Sequence, residues 1–234
     1  MEEKYREKVD TIKGILRRIH QDRDVSELQK EFEEAIGDVA PWEIPLIEQQ
    51  LVKEGITPFE IAKMCDLHVN LFRKTLVKRE ELLKLPSGHP LYTFIAENEQ
   101  IAKDAERLGL FSKMLDRSEG FEAAKNQLVE LLGVKKHFIR EQMLLFPYLE
   151  RKGITAVPRV LWTKQDQLIV NVKRVLESMD HNAPIEEISH QLETVSQGLM
   201  DMIFRENNIL YCLLYTSDAA DEGLGVDLGG RRII

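Results

Sequence analysis

His137-Phe138-Ile139-Arg140-Glu141 places an imidazole and a carboxylate four residues apart. On an α-helix that spacing puts both side chains one turn apart on one face. Helical bundles present metal ligands to their interior in this way, with a carboxylate and a histidine at helical spacing. The mix of nitrogen and oxygen donors suits iron or zinc better than calcium or magnesium. His89 opens the preceding helical segment. Two weaker stretches extend the pattern. Met202-Ile203-Phe204-Arg205-Glu206 keeps the spacing, with Met where the first stretch has His, and Trp162-Thr163-Lys164-Gln165-Asp166 lies between the two. Together they read as a two-fold helical array with a strong first half and an eroded second half.

Working outward, the chain reads as nearly all helix, with glycine and proline between segments and no strand-like alternation. Four long helices are expected around the motif. The first runs from His89 to about Asp116. The second spans about Glu119 to Lys152, with Gly133 tolerated inside it and Pro147 kinking or ending it. The third covers Pro158 to about Met179, and the fourth begins near Pro184. Short connections between them predict an up-down four-helix bundle. Ahead of it, apolar spacing predicts a small helical module. Val9, Ile12, Leu16 and Ile19 line one helix, and further helices begin at Ser26, Pro41 and Thr57. Thr57-Pro58-Phe59-Glu60 combines an N-cap, a first-turn proline and a glutamate three residues after the cap. Leu85-Pro86-Ser87-Gly88 then breaks the pattern. The expected organisation is therefore an all-α chain, with a helical module over residues 1–84 and a bundle over 85–211.

Residues 212–234 are set apart. From Cys212 to Glu222 they resemble the in-frame translation of a sequencing adaptor, and from Gly225 to Ile234 the primer that follows it. They are therefore excluded from the fold reading as a non-native tail. The glycines between Gly223 and Gly230 precede no helix and form no phosphate-binding loop. The formal charge of the whole chain is −8. The tail holds four acids and two bases, so the remainder carries −6. This mild acidity lacks the basic field that nucleic acid binding requires. Outside the tail the sole cysteine is Cys65, which excludes a disulfide framework and fits a reducing cytoplasm. The first residues carry no secretory signal, and no stretch of about eighteen apolar residues predicts a membrane span.

His89-Pro90-Leu91-Tyr92, His137 through Glu141 and Met202 through Glu206 together resemble the hemerythrin-like His-His-Glu cation-binding domain. The resemblance is closest to the branch preceded by a helical domain of unknown function. The stretch Glu43-Ile44-Pro45-Leu46-Ile47 and the helix carrying Cys65, Asp66, Leu67 and His68 are similar to that front module. The resemblance implies one or two non-haem irons held by inward-facing His and carboxylates, and a PAS sensor domain often following the bundle. His89, His137, Glu141 and Glu206 carry over as ligands. Gln165 or Asp166 stands where a third-helix ligand is expected, and Met202 replaces a fourth-helix His. The expected centre is a firm first metal at His89, His137 and Glu141, with a weaker second metal using Glu206 and Asp166. Glu97 and Glu99 are compensating candidates that solvent would otherwise claim.

Each residue also has a structural reading. A lone His137 would serve as a satisfied core histidine, and His89 as a helix-start residue. Met202, Phe204, Tyr92 and Phe94 read as packing, one of the last two walling the metal pocket, and Trp162 as core filler beside the site. In the front module His20, Cys65 and His68 are of zinc-binding type, set against a buried cysteine and an interface histidine. Three functions are compatible with this pattern. One is an iron-binding sensor for O₂, NO or redox state. The second is a di-iron oxidoreductase or iron-centre repair protein. The third is a metal-free helical interaction module.

Overall fold

A computed structural model describes residues 88–215, together with Asp10, Thr11, Gly14, Gln50, Gly55 and Leu85. The helices expected at Ser26, Pro41 and Thr57, and the candidates His20, Cys65 and His68, lie outside the described residues. Among the described residues every regular element is helical.

The bundle's first helix, α1, spans Pro90–Phe111. Pro90 sits at its first position, where a missing N–H costs nothing. The segment expected to be one helix after Glu119 is broken into α2 (Ser118–Leu131), α3 (Val134–Arg140), a π-helical turn (Glu141–Leu145) and α4 (Phe146–Arg151). Gly133 marks the first break. Pro147 accounts for the second, because its ring nitrogen donates no hydrogen bond back along the helix. At the end of α4, Gly153 adopts φ +81°, and the Ile154 N–H reaches back to the Leu149 carbonyl. This is the left-handed helix stop that glycine favours. Helix α5 spans Ala156–Asp180 and ends similarly, with Asn182 at φ +51°. Helix α6 spans Ile185–Arg205 and passes into a second π-helical turn, Glu206–Leu210, and one more helical stretch over residues 211–215.

The helices form an up-down bundle. Along the α1–α6 seam, Asn98 meets Asn207, the Ser196 hydroxyl donates to the Ala105 carbonyl, and that of Ser189 donates to the Ser112 carbonyl. One number rises as the other falls, so the two helices run antiparallel. Across the bundle, Lys125 pairs with Asp180 and Gln142 with Gln165, which makes the α2–α4 run and α5 antiparallel too. Small residues bring α5 and α6 close: a Cβ on Gly198 would lie 2.7 Å from Leu168 Cδ2. The core between the helices is apolar, from Leu91, Ile101 and Leu108 through Leu128, Leu161 and Val172 to Leu192 and Leu199. Met202 lies within it, as its spacing predicted. Trp162 does not. It stands on the exposed face of α5, while Leu161 and Gln165 turn inward. Cys212, Leu213 and Leu214, in the segment set apart as a tail, continue the last helix and are buried. No described helix is long and apolar enough to cross a membrane.

Candidate metal centre

Among the described residues, eight buried polar residues interrupt the core, and His137, Glu141, Gln165, Glu206 and Asn98 are among them. Three of these converge. One ligand atom each from His137, Glu141 and Glu206 lies within 4.8 Å of the others. His137 and Glu141 come from one broken helix, at the spacing that places them on one face. Glu206 enters from the opposite side at the end of α6. Both glutamates open a π-helical turn: the Phe146 N–H bonds to the Glu141 carbonyl and the Tyr211 N–H to that of Glu206. Such single wide turns recur at functional sites, where they re-aim a side chain.

A chain of polar contacts fixes the imidazole. His137 Nδ1 lies 2.8 Å from Glu97 Oε2, and the Arg140 guanidinium donates to Glu97 Oε1 at 2.6 Å. A carboxylate on one ring nitrogen sets the tautomer and raises the basicity of the other. Burial pushes the Glu97 carboxyl up, but its hydrogen bonds to His137 and Arg140 outweigh this and hold it below the usual range. The Phe94 ring stands edge-on to His137, with centroids 5.5 Å apart, and walls the site as a packing residue. A cleft of about 290 Å³ between α1 and the α2–α3 run reaches the outer edge of His137, past Glu97 and Arg140.

The inner nitrogen has no such partner. His137 Nε2 lies 3.4 Å from Glu206 Oε2 and 3.5 Å from Glu141 Oε1. Both His137 Nε2 and Glu206 Oε2 are buried without a hydrogen bond. Their separation is about what two ligands of one ion keep when each is held at roughly 2.1 Å. Buried polar atoms are almost always paired, so two orphans facing each other mark a place for a cation. Electrostatics agree. Burial pushes the imidazole down, but the carboxylates of Glu141 and Glu206 beside Nε2 outweigh it and raise His137 to about 10. Burial and then the charge of Glu141 raise Glu206 to about 8. The cluster thus holds protons in the place where a cation would replace them. The donor set fits a transition-metal ion.

The remaining expected ligands lie elsewhere. His89 caps the start of α1, where its Nδ1 accepts the Leu91 N–H, and it does not join the cluster. Asp166 faces solvent, because the α5 register turns its neighbour Gln165 inward. Glu206, expected in a second centre, faces His137 instead. Glu99 is exposed, whereas Glu97 is engaged with His137. Two residues escaped the sequence reading. The Tyr211 hydroxyl donates to Glu141 Oε1 at 2.6 Å, and Asn98 Nδ2 donates to the Tyr211 oxygen at 3.3 Å. Burial, then the charges of Glu141 and Glu206, push the Tyr211 phenol well above its ordinary value, so it keeps its proton and serves as a donor. The signal for Asn98 was its place on an apolar stripe, between Phe94 and Ile101 at helical spacing.

A four-helix bundle with an inward His–carboxylate cluster defines a class of cation-binding proteins. The family model of the hemerythrin HHE cation-binding domain matches residues 89–214, more than half of the chain, which belongs to that family. A family of unknown function, DUF438, matches residues 12–78. No curated protein matches the chain.

Proposed function

We propose that the bundle is a non-haem iron module that serves as a sensory input for O₂, NO or redox state, in a cytoplasmic protein. The observation that carries this reading is the pair of orphaned, buried atoms His137 Nε2 and Glu206 Oε2, 3.4 Å apart. His137, Glu206 and Glu141 would hold the ion. Iron bound there would supply the capacity to bind a diatomic ligand. Glu97 and Arg140 keep the His137 ring in its ligating orientation, and Phe94 limits the water that reaches it. Three protein ligands leave positions free, and burial admits only small molecules. The module matched at residues 12–78, and a PAS domain of the kind the resemblance implies, would carry the state of the centre onward.

A metal-free interaction module is the second reading. It has one specific support: both oxygens of Glu141 already accept hydrogen bonds, from Tyr211 and Gln165. Metal analysis separates the two. Protein loaded anaerobically with iron(II) should retain it through gel filtration, respond to NO with a new visible band, and lose both properties in His137→Ala. A folded wild-type chain that retains no metal would leave the interaction module standing. Catalytic consumption of O₂ or peroxide by the loaded protein would instead favour the di-iron oxidoreductase or iron-centre repair class.

A further inference from the structure

Gln165 is fully buried on α5, and its amide stands against both glutamates. Its Nε2 lies 2.6 Å from Glu141 Oε2 and 3.3 Å from Glu206 Oε1. The two carboxylates set the orientation of that amide, since their oxygens accept and its NH₂ side donates. On the far side, Gln165 Oε1 accepts from Gln142 Nε2 at 2.9 Å. The four carboxylate oxygens therefore divide into two sets. Glu141 Oε1 and Glu206 Oε2 turn toward His137. Glu141 Oε2 and Glu206 Oε1 turn toward Gln165. Each glutamate thus serves two positions, and the pair is arranged as carboxylates that bridge two cations.

At one of these positions stand the orphaned nitrogen of His137 and the orphaned oxygen of Glu206. At the other stands an amide with two N–H groups. We infer that the Gln165 NH₂ group takes the place of a second cation, so that the centre is built for one metal ion. An NH₂ group carries partial positive charge on both hydrogens and has two donors for two acceptors. It satisfies the oxygens turned toward it, as a bridging ion would, and it repels any ion approaching them. No lone pair is available there, because the amide oxygen points away to Gln142. The inference rests on the metal-centre reading and narrows it from one or two ions to one.

Metal-to-chain ratio by elemental mass spectrometry, on the full chain loaded anaerobically with excess iron(II) and desalted, tests it. The wild type should retain about one ion. Gln165→Glu and Gln165→His each exchange the donor for a ligand and should retain about two, with circular dichroism showing the same helical content. Two ions in the wild type would overturn the inference and leave the metal centre intact. So would folded Gln165→Glu and Gln165→His proteins that both stay at one. No ion in the wild type would remove the metal-centre reading itself. Should neither variant fold, the wild-type ratio alone decides.

Discussion

Glu97 shows how one side chain outside a ligand set governs it. It is partly exposed, yet its carboxylate holds His137 Nδ1 and is itself held by Arg140. Removing such a partner weakens metal affinity by roughly 10–100-fold. Glu97→Gln should therefore bind iron(II) that much more weakly in chelator competition, with its fold unchanged; equal affinity would show that the imidazole needs no such orientation. The cluster also predicts a pH dependence for the metal-free protein. His137 is raised from 6.5 to about 10, so its contribution is fully present below pH 6.5 and lost as pH rises through 10. Glu206 is raised from 4.5 to about 8, so its contribution is lost as pH rises through 8. Both slopes have the same sign, and the metal-free melting temperature should fall from pH 6 to pH 9. Metal-loaded protein, its protons displaced, should not show that fall. At this scale the sequence reads partially. His137 and Glu141 are visible because their spacing is local, and Glu206 because the motif recurs. Tyr211 and Asn98 are not, because their partners lie 70 and 113 residues away and only packing brings them together.

The two π-helical turns belong to the scale of elements. Buried residues in the second helical run fall at Val134, Phe138, Glu141, Leu145 and Leu149, and in the last run at Leu199, Ile203, Glu206, Leu210 and Leu214. Each set makes four turns in fifteen residues, about 3.75 per turn against the 3.6 of an α-helix. A straight α-helix would rotate its far end off the core. One wide turn absorbs the surplus, and in both runs it falls at the central glutamate. This is why the helices were legible, and the break at Pro147 with them, while the π-helical turns were not: an apolar stripe gives a face and a length, while a surplus of half a residue over four turns lies within its scatter. Trp162 and Asp166 were misplaced for a related reason, since the α5 stripe tolerates a small rotation until packing fixes it. Packing between elements is tight where Gly198 admits Leu168. Gly198→Ala should cost roughly 1–3 kcal/mol in urea unfolding, by overpacking the α5–α6 contact. Its metal stoichiometry should stay unchanged, since the site lies two turns away; an unchanged midpoint would mean that the contact relaxes freely.

Over the whole molecule, the two halves of the bundle echo one another. Glu141 and Glu206 stand 65 residues apart, and the same interval relates His137 to Met202 and Phe146 to Tyr211. One half supplies the imidazole and the other supplies the phenol that anchors its carboxylate. The echo was legible in sequence; the pooling of both glutamates in one cluster was not, because it depends on how the halves face. The last helix closes this arrangement with residues beyond Tyr211. Truncation after Tyr211 removes Leu213 and Leu214 from the core. On the order of 3 kcal/mol or more should be lost, read as a melting temperature lower by roughly 6 °C or more. A truncated chain that melts like the full one would show that these side chains contribute nothing to the core. Cys212 lies one residue past Tyr211, buried, with its sulfur on the Asn207 carbonyl. It is a built-in clock. A thiol reagent can reach it only when the end of the helix opens, so its alkylation rate times the excursions that also release Glu141 from its phenol. An ion that pins the two glutamates together would slow that clock without touching the sulfur.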